Sequence, residues 1–331
     1  MKHFTEPSGR FVIQIPTEWQ YKNVAAGIGE VSPFSFELYE NSVGCFQISC
    51  YSKEEKPINT RIRVQKFDQA NLEFLTQRMD GGGFNMHLWY ATIEDHMIMA
   101  KYIYETTRAD EIKAELQKAE VALASLELLS PEKRALALDI DKYEKFMASL
   151  AASFDLRNKA MESMSLIELT IIIANQIDAY LRMSIVLYKQ LREISDAIDI
   201  SLLFQAKADK PIMERTIYKQ ANELGIINGT TFDRLENLYS ERNKVVHRYI
   251  ISDLRTSDML NIVKEYETIS ESVRLELKKL EETQAIRGLG IHKNGRRSHD
   301  ELTSRDLNFL YSQVNDKHLT KDFYRQISDK N

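Results

Sequence analysis

The sequence predicts an α+β N-terminal domain, then an all-α helical bundle, then a C-terminal helical tail. Three observations carry this. Up to about residue 105 the apolar residues alternate with polar ones at the period of strands. From Ser130-Pro131-Glu132 onward they recur at helical spacing. After residue 285 glycines and basic residues replace that pattern. A chain of 331 residues is long enough for two domains with sizeable cores.

The N-terminal strands come first. F-V-I-Q-I-P (11–16) is a short apolar run ended by proline. F-S-F-E-L-Y (34–39) and C-F-Q-I-S-C-Y (45–51) alternate. Residues 60–79, with Val64, Phe67, Phe74, Leu75 and Met79 among polar neighbours, read as a helix. Gly81-Gly82-Gly83 forms a turn, since it lacks the lysine and Ser/Thr of a phosphate loop. Strands at about 84–92 and 96–105 follow, and a helix at about 109–127 closes the domain, which we bound at 1–128. The opening G-R-F-V-I-Q-I-P-T-E-W resembles PsbP-like α/β/α sandwich domains, over the N-terminal third only. That resemblance implies a binding or docking module and brings no catalytic residues.

Residues 130–285 read as five helices. Ser130, Pro131 and Glu132 make an N-cap, a first-turn proline and a first-turn acid. The first helix runs to about Ala160, with Leu136, Ile140, Tyr143, Met147, Leu150 and Phe154 on its inner face. Ser165 with Glu168 reads as a capping box opening the second helix. The third spans about 212–224 and ends at Gly225. Thr230 with Asp233 caps the fourth, 230–250, and the fifth runs from Ser257 to about Gln284. Short links between them predict a bundle. Residues 286–299 read as a flexible basic linker. A tail helix with Leu307, Phe309, Leu310 and Val314 follows, then a polar end with Phe323 and Tyr324.

Composition excludes some classes. With 43% apolar and 28% charged residues the chain has the make-up of a soluble globular protein. A net charge of −5 argues against a broad basic coat for nucleic acid but is compatible with a local basic cleft. Cys45 and Cys50 lie five apart in one strand, so they face opposite ways and do not pair. Free thiols, the lack of an apolar signal core and the short run Ile171–Ala174 lead us to expect a cytoplasmic protein without a membrane partner. His87 and His96 lack a second ligand at metal spacing, and no cofactor fingerprint is present.

The chemistry gathers on the fourth helix. Arg242, Asn243, His247 and Tyr249 suit phosphodiester cleavage without a metal. A histidine titrating near neutrality can take the proton of a ribose 2′-hydroxyl. An arginine can fork onto phosphate oxygens and hold transition-state charge. Tyrosine can stack on a base. Arg242 and His247 are about 140° apart around a straight helix. Two such helices meeting across a two-fold axis are needed to aim both residue types at one phosphate.

R-N-K-V-V-H-R-Y, residues 242–249, matches the R-x4-H-x-Y signature of HEPN-domain proteins, on a late helix of a bundle. The resemblance covers about 131–285. It implies a dimeric, metal-independent endoribonuclease acting as a toxin or in phage defence, with RNA as substrate and no cofactor. It implies catalytic Arg242 and His247, with Asn243 in support. Tyr249 matches the tyrosine that a nucleotidyltransferase antitoxin adenylylates in one toxin branch. We add Lys244 and Arg248 as substrate-binding or regulatory residues, and Glu168, Asn175 and Asp178 as cleft-lining ones. The extra N-terminal domain departs from the small single-domain toxins and suggests a built-in sensor or docking module. Arg287 and His292 repeat the Arg-to-His spacing in the linker without the tyrosine, and we set them aside. The alternative is a non-catalytic dimeric module that scaffolds a protein partner or senses a nucleotide.

Overall fold

The computed structural model describes residues 1–38, 41–52, 65–67, 72–93, 95–108, 111–206 and 209–294. The fold is α+β, a sheet-rich N-terminal region followed by helices. Two compact units divide between Asp141 and Lys142, eleven residues past the change in composition at Ser130.

The N-terminal unit holds two antiparallel sheets. A three-stranded sheet has the order β1 (Lys2–Thr5), β2 (Phe11–Ile15), β10 (Glu127–Leu128). A seven-stranded sheet runs β3 (Trp19–Tyr21), β4 (Phe34–Leu38), β5 (Gly44–Ser52), β9 (His96–Glu105), β8 (Phe84–Ile93), β7 (Phe74–Gly81), β6 (Gln65–Phe67). The one-turn helix α1 (Lys22–Ala25) precedes β4, and α2 (Lys113–Ala124) supplies Ala119, Ala122 and Leu123 to the core. The residues of the PsbP-like stretch are packing residues. Phe11, Ile13 and Ile15 are buried, and Trp19 stacks on Phe46 at 5.3 Å while its Nε1 donates to the buried Glu115 Oε2 at 2.7 Å. Cys45 and Cys50 form no disulfide with each other.

The helix expected at 60–79 is corrected where the structure describes it. β7 is a strand paired with β8. Gly82 and Gly83, at φ 64° and 88°, form a two-residue hairpin loop that closes the Gly81–Phe84 pair. Two consecutive positive-φ residues suit the right-handed twist of the flanking strands, and glycine meets that demand without steric cost. Residues 53–64 and 68–71 of that stretch lie outside the described residues.

The second unit is built around α4 (Leu166–Glu193), which packs against α5 (Ile200–Leu203), α6 (Glu214–Glu223), α7 (Gly229–Arg248) and α8 (Thr256–Arg287). Ile173, Ile177, Leu181 and Ile185 of α4 are all fully buried. Among the described residues α4 alone is long and apolar enough to cross a membrane, and 67% of that stretch is buried within the protein. The long helix α3 (Pro131–Glu162) leads into this unit. Its expected inner face is corrected in part: Tyr143, Met147 and Leu150 pack against the core, but Leu136, Ile140 and Phe154 are exposed, while Ala148, Ala152 and Ala160 are buried. Close helix contact through alanines joins the larger side chains.

Caps differ from expectation too. Ser165 precedes α4 without a side-chain capping bond. The N-cap of α7 is Asn228, whose Oδ1 accepts from Thr231 N at 2.8 Å, two residues before the expected Thr230. The chain beyond α8 is fastened rather than free as far as residue 293. Buried Gln284 donates to Gln190 Oε1 at 2.8 Å and accepts from His292 N at 3.1 Å. Asp196 accepts from Gly290 N at 2.8 Å and pairs with Lys293 at 2.5 Å. The tail residues Leu307, Phe309, Leu310, Val314, Phe323 and Tyr324 lie outside the described residues.

Candidate functional site

The C-terminal half of α7 divides into a half-buried part and an exposed part. Leu235, Leu238 and Val245 are buried and seat the helix on the core. Arg242 shares their side, at seven residues from Leu235, and turns toward α6. Its Nη1 meets Glu214 Oε2 at 2.5 Å, with the two side chains 15% and 14% exposed. Its guanidinium carbon lies 4.7 Å from the centre of the Tyr239 ring, one turn earlier on the same helix.

Glu214 is itself held on several sides. It stands in the first turn of α6, where the helix dipole favours a negative charge. Its Oε1 accepts a short hydrogen bond from the buried Tyr218 hydroxyl. Tyr266 of α8 closes the cluster by donating to Leu238 O at 2.9 Å. Electrostatics follow from this packing. Burial works against the charge of Arg242, yet the Glu214 carboxylate more than offsets it, so the guanidinium is held more firmly protonated than usual. Burial, then Glu214, pushes the Tyr218 phenol far up.

Asp178 belongs to the rim of the same cluster. Its Oδ2 accepts from Arg182 Nε at 2.6 Å, and Arg182 also donates to Leu202 O and Ile212 O. Asp178 Oδ1 is buried without a partner. Burial raises its carboxyl above the ordinary range against the opposing pull of Arg182, and the charges of Glu214 and Arg242 also reach it. Of the three candidate cleft-lining residues, Asp178 alone is brought to Arg242. Asn175 is exposed. Glu168 is exposed and lies ten residues before Asp178, about 15 Å along the helix.

The other α7 residues face water. Asn243 is half-buried; Lys244, His247, Arg248 and Tyr249 are exposed. Lys244 pairs with Glu241 at 2.6 Å. The side chains of His247, Arg248 and Tyr249 make no hydrogen bond or ion pair among the described residues. The helix ends at Arg248, so Tyr249 is its C-cap, and an apolar pair follows: Ile250 is 92% and Ile251 83% exposed. Arg242 and His247 therefore diverge, one inward and one outward. The decoy residues are elsewhere: Arg287 ends α8 and His292 sits in the fastened turn, with Nε2 3.9 Å from Glu281. His87 packs beside Trp89 and Tyr104, and burial lowers its basicity.

Sequence reasoning missed Glu214, Tyr218, Tyr239 and Arg215. Arg215 adds a second guanidinium 5.7 Å from the Tyr239 ring and forks onto Glu236. Tyr239 was within reach of the sequence, since a tyrosine three residues before an arginine shares its helix face. Glu214 and Arg215 come from another helix, and no local pattern links them to Arg242.

No family model matches the chain, and no curated protein matches it. A solved structure from Bacteroides thetaiotaomicron VPI-5482 is 13% identical, covering 58% of this chain and 78% of its own, with a TM-score of 0.30. That likeness is too low to carry an argument about fold or function.

Proposed function

We propose that the helical unit is a dimeric module of HEPN type that cleaves RNA without a metal, acting in the cytoplasm as a toxin or defence effector. The observation that carries this reading is His247, exposed at the end of α7 with no side-chain hydrogen bond or ion pair among the described residues, next to Arg248 and Tyr249. His247 takes the proton of a ribose 2′-hydroxyl, whose oxygen attacks the adjacent phosphorus in line. The bond from phosphorus to the 5′-oxygen breaks and that oxygen takes up a proton, leaving a 2′,3′-cyclic phosphate and a 5′-hydroxyl. Arg242 holds the extra negative charge of the transition state, with Asn243 orienting the imidazole or the substrate. Arg248 and Lys244 bind the RNA backbone, and Tyr249 stacks or serves as a point of modification by an antitoxin.

The divergence of Arg242 and His247 on one helix supports a site composed from two copies. The exposed Val246, Tyr249, Ile250 and Ile251 supply an apolar surface for that pairing. A second reading has one observation in its favour. The Glu214 carboxylate already occupies Arg242, which suits a non-catalytic dimer that scaffolds a protein partner. The N-terminal unit serves as a sensor or docking module in either case.

Labelled single-stranded RNA incubated in EDTA with the full chain and with His247→Ala decides between them. We expect cyclic-phosphate products from the wild type and a loss of at least a hundredfold in the variant, the usual scale of a general base. Equal cleavage by both overturns the His247-dependent reading, and cleavage by neither supports the scaffold reading instead.

A further inference from the structure

We propose that Glu214 is an internal stand-in for the RNA phosphate: it occupies the Arg242 guanidinium in the unbound protein and is displaced when RNA binds between Arg242 and Arg215. This rests on the RNA-cleaving reading above and adds the residues by which the site takes its substrate. Tyr239 is half-buried, with the two guanidiniums about its ring, Arg242 at 4.7 Å and Arg215 at 5.7 Å. Each has its own carboxylate, Glu214 for Arg242 and Glu236 for Arg215. An aromatic ring flanked by two guanidiniums is the kind of surface that takes a base and its phosphate together.

The two carboxylates are not equivalent. The Arg215–Glu236 pair is exposed on the arginine side, at 60%, so water and salt already screen it. The Arg242–Glu214 pair is only about 15% exposed on either side, so its charges are screened much less. Glu214 presents one carboxylate oxygen to Arg242, in the place a non-bridging phosphate oxygen would take, while its other oxygen accepts from Tyr218. When it leaves, the Tyr239 ring still orients Arg242, while the α6 N-terminus and the Tyr218 hydroxyl still receive the freed carboxylate. Partner exchange on Arg242 therefore leaves neither charge without a neighbour. It does cost binding energy, because a phosphate must outcompete an anion already in position, and anions that meet Arg242 alone are rejected.

The salt dependence of binding reports this exchange. A phosphate that replaces Glu214 on Arg242 sheds its cation, but the freed Glu214 carboxylate gathers one in turn, so the contact adds little to the salt slope. With Glu214→Gln the same contact counts in full. Binding of a short single-stranded RNA by the full chain is measured across a salt series, in a His247→Ala background so that the RNA stays intact. The slope of log Kobs against log salt is expected to steepen by about 0.7, one single-strand phosphate contact, with tighter binding at low salt. Arg215→Gln is expected to weaken RNA binding across the salt series, since it removes a phosphate contact. Should Glu214→Gln fail to fold, judged by its unfolding transition, Glu214→Asp takes its place. It keeps the charge on an arm one methylene shorter, and looser hold on Arg242 should tighten RNA binding.

An unchanged slope in Glu214→Gln, or unchanged affinity in Glu214→Asp, overturns the stand-in role even if the wild type cleaves RNA in a His247-dependent way. RNA binding by none of these forms overturns the proposal together with the RNA-cleaving reading beneath it.

Discussion

Asp178 has one buried carboxylate oxygen on Arg182 and one on nothing. Burial, opposed by Arg182, lifts its folded-state proton affinity above that of an unfolded aspartate, roughly 3.9. Between that value and the raised one, the folded chain binds more protons than the unfolded chain, so stability falls as pH rises through the window. Above the window the loss persists. Asp178→Asn removes the titration. Urea unfolding at about pH 4 and pH 7 should therefore show wild type losing ground to the variant on going to the higher pH. A stability difference that stays flat between the two would mean that the orphaned oxygen is paired in solution, by water or by a shifted Arg182.

At the level of elements, Arg242 ties α7 to the first turn of α6. Truncating it leaves the largely buried Glu214 charge with no cation, held only by the α6 N-terminus and the Tyr218 hydroxyl, which costs on the order of 3 kcal/mol. His247 is exposed and its side chain makes no hydrogen bond or ion pair among the described residues, so His247→Ala should change stability by no more than about 0.5 kcal/mol. Denaturant unfolding of the two variants tests this contrast, and similar midpoints would refute it. The contrast bears on activity assays, because a dead Arg242→Ala protein can be dead through unfolding, whereas a dead His247→Ala protein cannot. It also marks how far the sequence could be read. Periodicity was enough for β2, β5, β8 and β9 and for the long helices, because one face of each is buried and the other is not. β7 was misread as helix because Leu75 and Met79 sit i,i+4 like a helical pair, although both are exposed strand residues. The glycine pair at 82–83 held the correcting signal, since it demands a hairpin and hence a strand before it. In α3 Tyr143, Met147 and Leu150 were read correctly as packing residues, but the buried alanines beside them were passed over. The motif on α7 was legible, being local. Its counter-ion on α6 was not, because 28 residues and a separate helix intervene.

For the whole molecule, the end of α7 sets an expectation about assembly. Ile250 and Ile251 stand almost wholly in water, beside Tyr249 at 46% exposure. If this surface joins two copies, light scattering at micromolar concentration should give twice the 38.4 kDa of the chain. The double variant Ile250→Asp, Ile251→Asp should return it to one copy with an unchanged unfolding transition, since exposed substitutions rarely affect folding. A wild-type monomer would remove the composite site.

The turn after α8 has a mechanical consequence. A pull applied to the chain at residue 294, by an instrument, is not met first by the fraying end of a helix. It loads the ion pair of Lys293 with Asp196 and the amide bonds around Gln284, and through Gln190 it reaches α4 at the centre of the unit. Those bonds share the load and must give way nearly together. Tension from that end should therefore meet an abrupt threshold before α8 begins to unwind.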